Sequence, residues 1–206
     1  MADALITPEA VLSYPYLFEP RASKTVDKAT GQPMMKYSCS LVFLAGSDLK
    51  PLKQAYIDAV HEKFGIEKGN EMIRLKKLHS PFRTDWEEKG YPEGSTFLNV
   101  TAKQKPGIVS IYRDPNTGKP AKITDPAAVY PGCRVRASVR IFWFEADGNR
   151  GFSFGINNLQ VTCNDPAKAP RLDGRLAAED EFEATDDAPE GSDAAASAGG
   201  DMSDLI

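Results

Sequence analysis

The stretch CRVRASVRIFWF, residues 133–144, carries the densest pattern in the chain of groups able to hold a charged ligand. Read with the two-residue period of a strand, Cys133, Val135, Ala137, Val139, Ile141 and Trp143 form an apolar face. Arg134, Arg136, Ser138, Arg140, Phe142 and Phe144 fall on the other face. Three guanidinium groups on one strand face cannot all be buried and unpaired, because each would carry an uncompensated charge out of water. Cations followed by aromatic rings suit a groove in which phosphates meet the charges and bases stack on the rings. A stacked base contributes ~1–3 kcal/mol largely regardless of its identity, so such a face predicts binding to single strands with little sequence preference.

The same alternation enlarges the set. In FLNVTAKQ, Leu98, Val100 and Ala102 are expected to point inward, leaving Phe97, Asn99, Thr101 and Lys103 outside, with Lys105 immediately beyond. In GIVSIYR, Val109 and Ile111 are expected inward and Tyr112 outward, and the segment returning from the hairpin turn adds Phe152 and Phe154. Each phenylalanine has a second reading as a packing residue at a barrel end or beneath a helix. Tyr56, Phe64 and Trp143 are assigned to the core; Trp86, in TDWEEKGY, is either a loop-borne stacking residue or a lid.

Catalytic constellations are sparse. Asp85, Glu87 and Lys89 contain a Glu-x-Lys element of the kind a metal-dependent nuclease uses to hold a divalent ion and orient water, against the commoner reading of a solvated charge run. His61 and His79 are isolated, and the sequence has no phosphate-binding Gly-rich loop and no His pair at zinc spacing. Cys39, Cys133 and Cys163 are odd in number and form no CxxC pair, which argues against a disulfide framework or a zinc site and suits a reducing cytoplasm. No catalytic residue is assigned, and the alternative to nucleic-acid binding is a protein-interaction barrel whose arginine face meets an acidic partner.

These groups need a scaffold, and the patterning supplies one. Residues 35–44 alternate as a half-buried strand, and Ser47 or Asp48 can cap a helix that tolerates Pro51 in its first turn. Leu49, Leu52, Tyr56, Val60 and Phe64 share one face of that helix, and Gly65 ends it. Residues 67–94 show no clear period, with one short strand expected over 72–78. Strands resume over 97–103 and 108–113, followed by a long hairpin that runs over 133–144, turns at Asp147-Gly148-Asn149 and returns over 152–163. Short strands, one long hairpin and one helix imply a mainly β fold, a small Greek-key barrel or sandwich.

Charge divides the chain. The net charge of −4 comes from 25 Lys and Arg against 29 Asp and Glu. Residues 173–206 hold eleven acidic residues and one basic residue, a net −10, which leaves 24 basic against 18 acidic residues, a net +6, in residues 1–172. The acidic segment is rich in Ala, Gly and Ser and too poor in large apolar groups to offset its ordering entropy, so it is expected to be disordered. The expected organisation is a binding domain over 1–172 and an acidic tail over 173–206. MADALITPEAVLSY has no basic region leading into an apolar run, and no 18 consecutive apolar residues occur, so a soluble cytoplasmic protein with no membrane partner is expected.

The stretches LSYPYLFEPRA, FLNVTAKQKPGIV and VYPGCRVRASVRIFWFEADGNRGFSFGINNLQ resemble phage-encoded single-stranded-DNA-binding proteins, over about Val11 to Arg175 and into the run GRLAAEDEFE. The most specific parts are KQKPG at 103–107 and GNRGFSFGINNLQ at 148–160. The resemblance implies an OB-like five-stranded barrel that coats single-stranded DNA in phage replication or recombination, in the cytoplasm of the host cell, with neither cofactor nor metal. It also implies a tail that docks onto replication or recombination proteins and competes with DNA for the basic groove, with Asp201, Asp204, Leu205 and Ile206 at the matching positions. Many such tails finish in Phe, whereas this one finishes in Leu-Ile, which leaves the identity of the partner open. A homodimer is allowed by the sequence, which does not fix the oligomeric state.

Overall fold

Period-two patterning builds strands through most of the chain, and the computed structural model describes residues 4–26, 30–146 and 148–172. In chain order the strands are β1 (Leu5–Ile6), β2 (Ala10–Val26), β3 (Pro33–Phe43), β4 (Thr96–Ala102), β5 (Gly107–Arg113), β6 (Pro120–Lys122), β7 (Arg134–Ala146) and β8 (Asn149–Cys163). Helices α1 (Lys50–Phe64), α2 (Ile66–Arg74) and α3 (Trp86–Lys89) lie between β3 and β4 in the chain. The strands pair in the order β1-β7-β2-β3-β4-β8-β5-β6, and a further β7–β8 pairing closes a circuit through β2, β3 and β4. The mainly β class is as expected, but the sheet has eight strands and not the five of the expected barrel, because β1, β5 and β6 join outside the closed circuit. The acidic tail expected from residue 173 onward lies outside the described residues.

The apolar faces read from the sequence fill the centre. Cys133, Val135, Ala137 and Val139 of the β7 segment pack with Leu41 and Phe43 of β3, Leu98 and Val100 of β4, and Leu52 of α1. Two smaller clusters lie outside this core. Tyr56, Val60, Met72, Leu78 and Phe152 pack together with Phe64 and Trp143 at their margin. Val11, Val42, Tyr91 and Phe97 form the other, with Trp86 against it.

Helix α1 follows its apolar spacing, with Leu52, Tyr56 and Val60 buried, and the Asp48 carboxylate accepts the Lys50 N–H at 3.0 Å. Gly65, at φ 80°, stops it in a backbone conformation that suits glycine, and α2 begins at once. The single expected helix is therefore corrected to three among the described residues, and the strand expected over 72–78 is absent: Met72 belongs to α2 and faces the cluster beneath α1. Gly69 permits this packing, since a Cβ there would lie 3.0 Å from the His61 ring and 3.1 Å from Val60. No helix among the described residues is long and apolar enough to cross a membrane.

The long hairpin forms as expected, from Arg134↔Cys163 at its base to Ala146↔Asn149 at its turn. Its register shifts between Ser138 and Val139: Ser138 pairs with Asn158, but Val139 pairs with Ile156, leaving Asn157 as an extra residue in β8. Such a bulge reverses which side chains of a strand face the core. Before it Leu159 and Val161 are buried; after it Ile156, Phe154 and Phe152 are.

Candidate nucleic-acid interface

The outward face of β7 after the bulge meets the β4–β5 connection. Arg140 pairs with Gly155 and Phe142 with Ser153, so both project from the sheet on the side away from Ile141 and Phe154. Where β4 ends, KQKPG leaves the sheet, and the Gly107 N–H is held at 3.1 Å by the Asn158 side-chain carbonyl. Together these elements enclose a groove of about 680 Å³ lined by Lys36, Lys103, Lys105, Arg140, Phe142 and the Gly155 backbone, among others. The Phe142 ring lies over Gly155, close enough that a Cβ there would be in ordinary van der Waals contact with ring carbons at 3.6 Å. The Lys105 ammonium also lies 5.4 Å from the Phe18 ring centroid, a cation–π contact that steadies the KQKPG segment.

Four of the residues assigned from the sequence thus share one groove: Lys103, Lys105, Arg140 and Phe142. Lys36 joins them from β3. Thr101 is shared with a second concavity of about 240 Å³, whose lining includes Tyr14, Tyr16, Arg21, Ser38, Asn99, Arg83 and Lys89. The join is structural, because Arg21 of this concavity lies directly across the β2–β3 ladder from Lys36 of the groove. Tyr14 and Tyr16 are 53% and 38% exposed, and the Arg21 guanidinium stacks 4.2 Å from the Tyr16 ring centroid. Tyr14 holds a left-handed backbone at φ 47°, unusual for a residue with a Cβ, at a register shift between Ser13 and Tyr16. Sequence patterning missed these tyrosines. Their signal was the Tyr-Pro-Tyr element, since Pro15 has no N–H to give the ladder and marks the register shift beside which both tyrosines are exposed.

Other assigned residues lie elsewhere. Phe97, Phe152 and Phe154 are buried, which removes them from any exposed stacking face. Phe152 and Phe154 turn inward at the Asn157 bulge, where Phe154 packs edge-on against Phe82 at 6.0 Å and Phe152 against Trp143 at 5.2 Å. Phe97 does point away from Leu98 and Val100, but Arg83 pairs with it and Tyr91 covers it at 5.1 Å. Phe144 is half-buried against His79, at 5.7 Å. Tyr112 is 74% exposed on the β5–β6 hairpin, outside both concavities, and Ile111, expected inward, is exposed while Ile108 enters the core instead. Arg136 is exposed and Arg134 half-buried, both beyond the bulge from Arg140 and outside the groove. Trp143 is only half-buried, with the Lys63 ammonium 4.5 Å from its ring centroid. Trp86 takes the lid reading, packing on the cluster around Phe97. Asp201, Asp204, Leu205 and Ile206 lie outside the described residues.

The Asp85 end of the Asp85, Glu87 and Lys89 element is engaged by a neighbouring cation. The Asp85 carboxylate accepts from Arg83 Nε at 3.0 Å and from a second guanidinium nitrogen, and this bonding holds it below the usual carboxylate range. Among the described residues no three His, Cys, Asp or Glu side chains converge as metal donors. Lys89 instead faces the tyrosine concavity from the short helix α3.

Comparison with known proteins follows this geometry. A family model described as Enterobacter phage Enc34, ssDNA-binding protein, matches residues 3–192. Among solved structures, a C-terminally truncated single-stranded DNA-binding protein from bacteriophage Enc34 superposes with a TM-score of 0.57 at 15% identity, over 80% of this chain and 88% of that one. The same figures hold for that phage's protein in complex with ssDNA. Gp2.5, a single-stranded DNA binding protein encoded by bacteriophage T7, superposes with a TM-score of 0.52 at 13% identity, over 90% of this chain and 100% of that one. These structural likenesses establish a shared fold. No curated protein matches the chain by sequence.

Proposed function

The chain belongs to the family of the Enterobacter phage Enc34 ssDNA-binding protein, and from that premise we propose that it binds single-stranded DNA without sequence preference and without chemistry on it. The observation that carries this reading is the continuous trough through Thr101, with Lys36, Lys103, Lys105 and Arg140 beside Phe142 on one side and Arg21 beside Tyr14 and Tyr16 on the other. Cations there neutralise phosphates, and the exposed rings offer platforms that any base can use. Base-edge readout has no evident source, since stacking recognises a π face that all bases share.

The role that fits is coating and protecting single strands during phage replication or recombination in the host cytoplasm. The acidic segment completes it. With a net −10 in residues 173–206 against +6 in the body, the tail competes with DNA for the basic trough, and Asp201, Asp204, Leu205 and Ile206 form the end that replication or recombination proteins grip. Deleting residues 173–206 is expected to tighten oligonucleotide binding at low salt, by less at high salt, and to abolish capture of such partners. Weaker binding after the deletion would refute the competition.

Fluorescence anisotropy of labelled oligo-dT against a duplex of equal length, at two salt concentrations, tests the central reading. Strand-selective binding is expected, with log K falling by roughly 0.7 per log unit of salt for each phosphate neutralised. Arg140→Ala, Lys103→Ala and Lys105→Ala should each flatten that slope by about 0.7. Equal or absent binding to both probes would overturn the reading in favour of a protein-interaction barrel, and magnesium-dependent loss of the oligonucleotide would revive the nuclease.

A further inference from the structure

The bulge at Asn157 separates Arg140 from a second cationic surface that neither concavity includes. Across the sheet Arg136 pairs with Gln160, Gln160 with Val109 and Val109 with Lys122, so these side chains form one row over β7, β8, β5 and β6. In-register partners share a face of a sheet, and the alternate residues Val135, Ala137, Ile108, Leu159 and Val161 are buried, so the row points away from the core. Arg134 precedes Arg136 on the same side of β7, and Ile111 and Arg113 follow Val109 on β5. The patch therefore holds Lys122, Arg134 and Arg136 around Val109 and Gln160, with the exposed Arg113 at its edge beyond the β5–β6 register shift.

Two acids flank it and keep their charge. Glu9 accepts the Thr162 hydroxyl at 2.8 Å, and Asp114 accepts the Asn116 and Thr117 N–H groups within the β5–β6 turn. None of the four cations is ion-paired among the described residues. At usual strand spacing Arg136 and Lys122 stand about 14 Å apart across the row, and Arg136 lies roughly 13 Å along β7 from Arg140. Only the uncharged Ser138 and Asn158 intervene along that line. A track of four cations against two acids that continues from a basic groove fits the phosphates of one polyanion better than two unrelated ligands.

We propose that this outer face of β7, β8, β5 and β6 is a second phosphate-contacting stretch, onto which a single strand leaving the Lys103–Arg140 groove continues toward the β5–β6 turn. The inference rests on the single-strand reading above and adds Arg113 and Lys122, with Arg136, as contacts that only a longer strand can reach.

Oligo-dT probes of about 8 and about 30 nucleotides separate the two stretches, the shorter lying within what one such domain commonly covers. The triple variant Arg113→Ala/Lys122→Ala/Arg136→Ala is compared with Arg140→Ala, with thermal unfolding to confirm that both stay folded. The triple variant is expected to bind the short probe as the parent does and to lose several-fold in affinity for the long one. Its salt slope on the long probe should fall by about 0.7 per contact removed, while Arg140→Ala weakens both probes. Unchanged affinity and slope on the long probe would overturn the inference, as would equal losses on both lengths. Parent protein that binds neither probe would instead overturn the single-strand reading itself. Should the triple variant unfold, Lys122→Gln and Arg113→Gln, on the exposed hairpin alone, carry the same expectation at smaller size.

Discussion

Phe142 and Phe154 come from the two arms of one hairpin and were both assigned to the same exposed face, yet the bulge at Asn157 sends them to opposite sides of the sheet. Phe142 is 38% exposed over Gly155, whereas Phe154 is fully buried against Phe82. Truncating each to alanine should therefore give opposite phenotypes. Full burial of a Phe side chain is worth ~1.5–3 kcal/mol, so the three-fifths of Phe142 that is covered contributes about 1–2 kcal/mol to stability. If its ring carries one base, Phe142→Ala costs ~1–3 kcal/mol of binding, or roughly 5- to 150-fold in Kd. Phe154→Ala leaves a cavity in the core and should cost about 3–5 kcal/mol of stability, a fall in Tm of roughly 6–20 °C for a domain of this size. Its Kd per folded molecule should stay at the parent value. Urea unfolding supplies the first quantity, and anisotropy titration with oligo-dT, corrected for the folded fraction, supplies the second. The assigned parity of β8 is wrong if folded Phe154→Ala binds as weakly as Phe142→Ala, or if Phe142→Ala leaves Kd untouched.

Three further perturbations probe separate features. Tyr14→Gly exchanges a strained left-handed tyrosine for the residue that prefers φ 47°, so stability should change by less than about 1 kcal/mol while oligo-dT binding weakens at least ~5-fold; unaltered binding would remove Tyr14 from the stacking surface. Gly151→Ala would place a Cβ 2.5 Å from the His79 carbonyl oxygen and 2.8 Å from its nitrogen, so the bridge between them must break at a cost of about 1–3 kcal/mol, read as a lowered urea midpoint. Among the thiols, burial pushes Cys39 up to about 12 and raises Cys133 as well, whereas Cys163 is partly exposed. A chromogenic disulfide reagent should therefore titrate one thiol quickly in the native protein and three after unfolding, and a second fast native thiol would contradict the packing around Cys133.

What could be read from the sequence depended on whether a pattern was local. The β7 face was legible because a single strand with small or branched residues on one side and arginines on the other has only one way to bury the first and solvate the second. Helix α1 was legible for a similar reason, since five apolar residues at helical spacing end at a glycine. Helix α2 was not, because its buried contacts are Gly69 and Met72 inside the charged run IEKGNEMIR, and a lone methionine beside Leu78 fits a strand equally well. Strands β1 and β6 span two and three residues, too short to show a period, and β1 joins the sheet only through a strand more than 130 residues away in the chain.

The candidate site divides along the same physical line. A lysine or arginine must keep its charge in water or in a pair whichever way a strand is registered, so Lys103, Lys105 and Arg140 could be placed outside without knowing their neighbours. A phenylalanine has no such obligation. Its position is settled by whatever lies above it: the α1–α2 layer for Phe152, Arg83 and Tyr91 for Phe97, and for Phe154 the shift of one residue in its own strand. The rings that remain exposed consequently lie apart, Phe142 among the cations of the groove and Tyr14 with Tyr16 across Thr101, where Arg21 is already stacked on one of them. Phosphate neutralisation is screened by salt and ring stacking is largely not. High salt should therefore weaken the phosphate contacts of Lys36, Lys103, Lys105 and Arg140 while the exposed rings keep their grip, so the residual affinity at high salt belongs mainly to Phe142, Tyr14 and Tyr16.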